Sequence, residues 1–184
     1  AARANQLSEL PGMGEKSQAQ ILAGIEQLRQ QKQRLSIHKV LPIAEKWMAK
    51  MRGIPGLQTL AAAGSLRRWK TTIGDLDFVG ASDKPAEVMK TFLELEGIRQ
   101  VISQGEHKTS VLTEDGLNLQ LWLQPPGRFG SLLQFVTGSK AHNVRLREFA
   151  LKQGLSLSER GFLDQSLKEI LCPREEDVYQ KLGL

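Results

Sequence analysis

Residues 64–78 read GSLRRWKTTIGDLDF, and most of what the sequence predicts begins with this stretch. Its end predicts a β-strand at residues 73–79. Side chains alternate across a strand, so Asp75 and Asp77 should share one face, opposite Leu76. Two adjacent carboxylates repel each other unless cations lie between them. Hard divalent ions with oxygen ligands, chiefly Mg²⁺, suit such a pair.

The beginning of the same stretch has the chemistry of a phosphate-binding turn. Gly64 and Ser65 offer backbone N–H groups and a hydroxyl, and Arg67 and Arg68 follow at once. Phosphoryl-transfer enzymes use two divalent ions, roughly 4 Å apart, to neutralise the attacking and leaving oxygens. The alternative is an exposed Asp-x-Asp loop with unrelated arginines nearby. The two motifs together favour a nucleotide site with bound metal ions.

The rest of the chain predicts an α+β fold, a mixed sheet backed by helices. A Glu-Asp-Gly turn at residues 114–116 predicts that the last two strands form a hairpin. Helices are predicted at 37–52, 86–94, 130–136 and 139–153, with a last one from about residue 174, and the other strands at 57–62, 98–103, 108–113 and 117–124.

Composition adds weaker constraints. The 184 residues contain 25 Lys and Arg against 20 Asp and Glu, and this net charge of +5 suits a polyanionic partner such as nucleic acid. The single Cys172 excludes an internal disulfide framework, so we expect a reducing, cytoplasmic location. The three histidines lack metal-ligand spacing. No apolar run approaches the roughly 18 residues of a membrane span, so we expect no membrane partner.

The order of motifs resembles one known family. Gly-Ser-x-Arg-Arg followed by Gly-Asp-x-Asp is similar to the signature of the family X DNA polymerases, within the nucleotidyltransferase superfamily. Two prolines at 125–126 close the last strand, and residues 133–139 resemble the family's segment between palm and thumb. The resemblance runs from about residue 7 to the end and is closest to bacterial members. It implies a palm at residues 35–137 and a thumb at 138–184.

The resemblance implies a role for each matching position. Asp75 and Asp77 would be the catalytic, metal-bridging carboxylates, with Mg²⁺ as cofactor and Mn²⁺ as the alternative. The dNTP would be held at its phosphates, sugar and base edge, by Gly64, Ser65, Arg68, Gly74, Phe135, Gly138 and Asn143. DNA would be contacted from the thumb by Lys140 and Arg147.

The helix at 139–153 also has a packing role. Its apolar positions predict a buried face, which would leave the polar side chains exposed for contacts with DNA and nucleotide. The predicted buried residues are Val144, Leu146, Phe149, Ala150 and Leu151, and the predicted exposed ones are Lys140, Asn143, Arg145 and Arg147.

One position departs from the family pattern. The strand at 117–123 alternates leucines with Asn118, Gln120 and Trp122, which should face the cleft. The family's third metal-binding Asp lies five residues before the proline of the next turn, and counting back from Pro125 gives Gln120. A neutral amide is a poor base. We therefore expect nucleotide and DNA binding with weak or absent polymerase activity.

Residues 10–14 read LPGMG and match a helix-hairpin-helix. Gly12 and Gly14 allow a tight turn, so that the next helix directs its first N–H groups at a DNA phosphate, and Lys16 adds a charge. Such contacts position a duplex without reading its sequence. The alternative is a glycine-rich turn between packed helices. We place this element and its connector at residues 1–34.

Three functions remain open at this point. The first is an active polymerase that fills gaps in DNA repair, and the second is a catalytically degraded palm that binds DNA and nucleotide and supports other domains. The third, a nucleotidyltransferase for RNA or a small molecule, is disfavoured by the hairpin and the thumb segment. The resemblance also implies a longer chain, with an N-terminal DNA-end-binding domain and a C-terminal phosphoesterase domain.

Overall fold

The computed structural model describes residues 34–184. The hairpin predicted at Gly12, Gly14 and Lys16 lies outside the described residues, and the proposed domain boundaries remain predictions. The helices are α1 Ile37–Arg52, α2 Gly64–Arg67, α3 Pro85–Leu93, α4 Phe129–Thr137, α5 Lys140–Lys152 and α6 Glu175–Lys181. The strands are β1 Leu35–Ser36, β2 Thr59–Ala62, β3 Thr72–Ile73, β4 Asp75–Ala81, β5 Ile98–Ser103, β6 Lys108–Thr113, β7 Asn118–Gln124, β8 Ser156–Ser158, β9 Gly161–Leu163 and β10 Glu169–Ile170.

A five-stranded mixed sheet in the order β2-β4-β7-β6-β5 organises the fold. Only its central pair, β4 and β7, is parallel, while the other three pairs are antiparallel. The predicted α+β class is therefore confirmed. The predicted hairpin between β6 and β7 is also confirmed, and Gly116 in its turn has a φ of +77°, a conformation that favours glycine.

The predicted strand at 73–79 is divided in two. Ile73 belongs to β3 and pairs with Leu35 of β1 in a separate two-stranded sheet, whereas β4 begins at Asp75. The break falls at Gly74, where a Cβ atom would lie 3.1 Å from Arg34 Nη1. Glycine therefore lets the segment that contains Arg34 approach the start of β4 closely.

The two faces of the sheet have different surroundings. One face carries Leu76 and Phe78 of β4, which are fully buried in the main core against the buried stripe of α1 and the apolar face of α3. The predicted stripe of α1 is present, with Val40, Ala44, Trp47 and Met51 buried. On the opposite face, Val79 packs with Leu132 of α4. That contact covers the far half of β4 and leaves its first residues accessible.

The C-terminal part contains a small sheet that the sequence analysis did not predict. Strands β8, β9 and β10 form an antiparallel sheet in the order β10-β9-β8. Each strand has only two or three residues, which is too short for alternation to be recognised. The predicted helices α4, α5 and α6 are present at the expected places. Within residues 34–184, every helix is too short or too polar to cross a membrane.

The predicted buried face of α5 is partly wrong. Leu146 and Ala150, four residues apart, pack into the second core with Phe162 of β9. By contrast, Val144 and Leu151 are 45% and 64% exposed, and Phe149 is 38% exposed. The small sheet offers α5 a narrow contact surface, so only one row of its side chains is covered.

Candidate active site

Strand β4 presents two carboxylates on one face. Asp75 and Asp77 are half-buried, whereas Leu76 and Phe78 between and beyond them are fully buried. In the parallel register with β7, Asp75 lies beside Asn118 and Asp77 beside Gln120. The alternation expected from the sequence therefore holds in the fold, and both carboxylates face away from the main core.

The short helix α2 brings the Gly-Ser turn directly against this pair. It follows β2 at once, and the Ala63 N–H donates to the carbonyl of Asp77 at 2.8 Å. A Cβ atom at residue 64 would lie 2.1 Å from Asp77 Oδ2, and Gly64 has a φ of +57°. Only glycine leaves room for the carboxylate there. Ser65 is thereby placed beside the acidic pair.

A cleft of about 650 Å³ joins these elements to α4 and α5. It collects predicted residues from parts of the chain that are far apart in sequence. Those lining it are Gly64, Ser65, Arg68, Asp75, Asp77, Phe135, Gly138, Lys140, Asn143 and Arg147. Gly74 and Gln120 are not among the lining residues; Gly74 lies close to Arg34, and Gln120 is hydrogen-bonded to Asp75. The assigned roles of all these residues remain predictions.

Two cations in the cleft wall were missed by the sequence analysis. Arg34 donates from Nε to Thr72 Oγ1 at 3.0 Å, and a second of its nitrogens donates to the Thr72 carbonyl. This pair of bonds places its guanidinium over Gly74. Lys70, two residues beyond Arg68, also lines the cleft. Both are basic residues close to the motifs in sequence. The sequence analysis places Arg34 in the connector, and Lys70 lies outside the Gly-Ser-x-Arg-Arg pattern, so neither was predicted at the site.

The junction of α4 and α5 forms the other wall. Asn143 donates from Nδ2 to the Phe135 carbonyl at 2.7 Å and accepts from Gln134 Nε2 at 2.9 Å. Ser139 caps α5, since its hydroxyl accepts from the His142 N–H. The side chain of Asn143, expected at a base edge, is thus engaged with α4 here. These bonds fix the orientation of the beginning of α5 relative to α4.

The sequence is similar to known proteins along nearly its whole length. The sequence model of the DNA polymerase beta thumb matches residues 132–184. The chain is also 35% identical over 178 residues to the DNA polymerase/3'-5' exonuclease PolX of Bacillus subtilis (strain 168). Both matches support the assignment of the chain to the family X DNA polymerases. The match covers 95% of this chain and 31% of that relative, so the chain spans about a third of the relative's length.

The architecture agrees with this assignment. The family's members are nucleotidyltransferases, and the mixed sheet backed by helices is consistent with a polymerase-beta-like palm and thumb. The matched thumb segment begins inside α4 and includes α5, the small sheet and α6. The sheet that the sequence analysis missed therefore lies within the segment that matches the thumb model.

Gln120 is predicted to occupy the position of the family's third carboxylate, and this equivalence remains a prediction. It lies on the accessible face of β7, between the fully buried Leu119 and Leu121. Its Nε2 donates to Asp75 Oδ2 at 3.3 Å. Within residues 34–184, no group of three His, Cys, Asp or Glu side chains is placed to hold a metal ion.

The donors that are present suit one hard divalent ion. Asp75 and Asp77 offer carboxylate oxygens on a single strand face beside the turn of Ser65. Mg²⁺ typically takes one or two protein carboxylates and completes its shell with water and substrate phosphates. The donor set therefore fits Mg²⁺ or Mn²⁺ together with a triphosphate.

Proposed function

We propose that this chain carries the dNTP-binding and catalytic core of a DNA-directed DNA polymerase that fills gaps during DNA repair. One observation carries the proposal: a single cleft unites the carboxylates Asp75 and Asp77 with the phosphate-binding chemistry of Ser65 and Arg68. A carboxylate pair without such a turn would suit many metal sites. The combination favours transfer of a nucleotide.

The reaction follows from the groups that the cleft brings together. The primer 3′-oxygen forms a bond to the α-phosphorus of the dNTP, the bond from that phosphorus to the bridging oxygen breaks, and pyrophosphate leaves. The hydroxyl of Ser65 and the guanidinium of Arg68 would bind the β- and γ-phosphates. Arg34 and Lys70 add positive charge to the same cleft. The triphosphate end of the substrate would therefore be held by four side chains.

Asp75 and Asp77 would hold the divalent ion. When bound, Mg²⁺ supplies charge neutralisation on the triphosphate and on the oxygens that react. The two aspartates position that charge, and Gly64 lets the phosphate-binding turn lie next to it. Phe135 and Gly138 would line the sugar. Their place in the cleft wall supports this assignment.

We further propose that nucleotide transfer is weakened by Gln120. In the family pattern a carboxylate at this place accepts the proton of the primer hydroxyl. The amide is neutral, and its N–H group points at Asp75, so it offers that proton no acceptor of comparable strength. Removal of a general base typically slows a reaction by about 10²- to 10⁴-fold.

The second candidate function is a palm that binds DNA and nucleotide without catalysis. The hydrogen bond from Gln120 to Asp75 favours this second candidate, because the bond occupies the carboxylate that would otherwise face the primer site. DNA would be gapped or primer–template, contacted by Lys140 and Arg147 from the thumb and by the predicted hairpin at residues 1–34. A cytoplasmic location and further domains in a longer chain belong to the same proposal.

Two measurements on the 184-residue chain separate these candidates. Binding of a fluorescent dNTP with Mg²⁺ tests the cleft, and primer extension on a one-nucleotide gap, with Mg²⁺ and then Mn²⁺, tests chemistry. We expect dNTP binding that Asp77→Asn abolishes, slow extension by the wild type, and faster extension by Gln120→Asp. Absence of dNTP binding would refute the nucleotide site. Wild-type extension equal to that of Gln120→Asp would refute the weakening.

A further inference from the structure

The two arginines of the turn at residues 64–68 have different surroundings. Arg68 lines the cleft. Arg67, one residue earlier, extends instead to Glu175 in the first turn of α6, 108 positions further along the chain. The sequence pattern treats the two as one phosphate-binding pair. In the fold, Arg67 connects the palm turn to the last helix of the thumb.

The contact between Arg67 and Glu175 is bidentate. Nη1 donates to Oε1 at 2.8 Å and Nη2 to Oε2 at 2.7 Å, with the side chains 35% and 18% exposed. Parallel paired bonds of this kind fix orientation as well as distance. The hydrogen bond with Glu175 raises the pKa of Arg67 above its ordinary value. The guanidinium therefore stays charged throughout the working pH range.

Thr137 connects this ion pair to the cleft. Its hydroxyl accepts from Arg67 Nη1 at 2.8 Å, while its carbonyl accepts from the guanidinium of Arg68. The next residue, Gly138, lines the cleft and is so close that a Cβ atom there would lie 3.2 Å from Arg68 Nη1. Any shift of Thr137 would therefore move both the Arg68 guanidinium and the Gly138 backbone.

Glu175 itself is held firmly against α4. A Cβ atom on Gly130 would lie 2.1 Å from the carbonyl carbon of Arg174 and 2.6 Å from the Glu175 nitrogen. The Gly130 N–H also donates to the Cys172 carbonyl at 2.9 Å. The first turn of α6 and the beginning of α4 thus pack backbone to backbone. Glu175 consequently offers Arg67 an acceptor at a fixed place.

We propose that Glu175 is a positioning residue for the nucleotide site, acting through Arg67 and Thr137. It holds the Thr137–Gly138 segment against the turn of α2, and so keeps the Arg68 guanidinium at the place where the triphosphate binds. The inference rests on the proposed function, because it assigns the cleft to a dNTP. Its consequence is that nucleotide affinity depends on a thumb residue that does not line the cleft.

The test compares two variants that each remove one negative charge from the thumb. Glu175→Gln removes the negative charge and one of the two oxygen acceptors that Arg67 uses. Glu169→Gln is the matched control, since Glu169 pairs with Arg128 at 2.7 Å, with side chains 33% and 30% exposed, on β10 away from the cleft. The Kd of a fluorescent dNTP with Mg²⁺, and the midpoint of urea unfolding, are measured for both. Couplings of this kind typically change affinity by about 5- to 150-fold.

We expect Glu175→Gln to weaken dNTP binding by about tenfold, Glu169→Gln to leave it unchanged, and Glu175→Asp to recover part of the affinity. Thr137→Val keeps the ion pair and removes only the hydroxyl, so it should weaken dNTP binding less than Glu175→Gln does. This variant remains informative if Glu175→Gln does not fold. The inference would be overturned if folded Glu175→Gln bound the dNTP as tightly as the wild type. If Glu175→Gln does not fold, wild-type affinity in Thr137→Val would overturn it. If the wild type itself binds no dNTP, the proposed function fails instead.

Discussion

Gln120 Nε2 donates a hydrogen bond to Asp75 Oδ2 at 3.3 Å across the parallel pair of β4 and β7. If Gln120 occupies the third-carboxylate position, as the sequence predicts, this chain has there a donor that faces a carboxylate. The bond partly offsets the repulsion between Asp75 and Asp77, which a third carboxylate would increase. The site is therefore built around two negative charges, and its capacity for divalent ions should be lower than three carboxylates would allow.

The first prediction concerns the number of divalent ions that are bound. With a non-hydrolysable dNTP present, the wild type should bind one Mn²⁺ per chain with high affinity, because the triphosphate and two aspartates supply the charge for one ion. Gln120→Asp should bind a second. The measurement is Mn²⁺ titration followed by electron paramagnetic resonance, which does not depend on catalytic activity.

The control for this titration is Gln100→Asp, which adds the same charge on the exposed edge strand β5. It should leave the stoichiometry at one. Two tightly held ions in the wild type would contradict the prediction, and so would a second ion in the control.

The second prediction concerns the glycine beneath the carboxylates. Gly64→Ala should abolish dNTP binding, because the added Cβ would lie 2.1 Å from Asp77 Oδ2. It should also lower the free energy of unfolding, since a non-glycine residue in the left-handed region costs about 1–3 kcal/mol. Gly116→Ala is the control, with a φ of +77° and open space around its Cβ. It should lose stability and keep full dNTP affinity.

The sequence predicts those parts of the site that depend on local geometry. Alternation along β4 places Asp75 and Asp77 together whatever the rest of the fold does. Counting along β7 from Pro125 identifies Gln120, because a strand keeps its register with its neighbour. Each inference uses a span of a few residues. The fold agrees with the first and places Gln120 beside Asp77, while its equivalence to the third carboxylate remains a prediction.

The remaining features depend on contacts between distant segments. Arg67 and Arg68 are adjacent in the motif, and the resemblance assigns only Arg68 to the nucleotide. The contact of Arg67 with Glu175 is seen only in the fold. Arg34 reaches the cleft because Gly74 leaves space for it, which no local pattern indicates. Phe149 was assigned to a core because its helix is amphipathic, but the three-stranded sheet beneath that helix is too small to cover it.

The third prediction concerns Trp69, a bulky residue with a φ of +52° that is 72% exposed. A side chain in this conformation costs roughly 1–2 kcal/mol relative to glycine. Trp69→Gly should therefore be more stable than Trp69→Ala by about 1 kcal/mol in urea unfolding, since alanine keeps the strain and loses only the ring. Equal stability of the two variants would show that the backbone there relaxes without cost.

The fourth prediction concerns Cys172, which is 1% exposed beneath α4. Burial raises the pKa of its thiol above the usual value of 9.0. A group whose folded pKa is raised contributes stability below its unfolded pKa and loses it as the pH rises through the folded value. The free energy of unfolding should therefore fall more steeply between about pH 8 and pH 10 in the wild type than in Cys172→Ala. Urea unfolding across that range measures the difference, and parallel curves for the two proteins would contradict the assignment.

In the same range a thiol reagent should label the folded chain far more slowly than the chain in urea, because the thiolate is the reactive form.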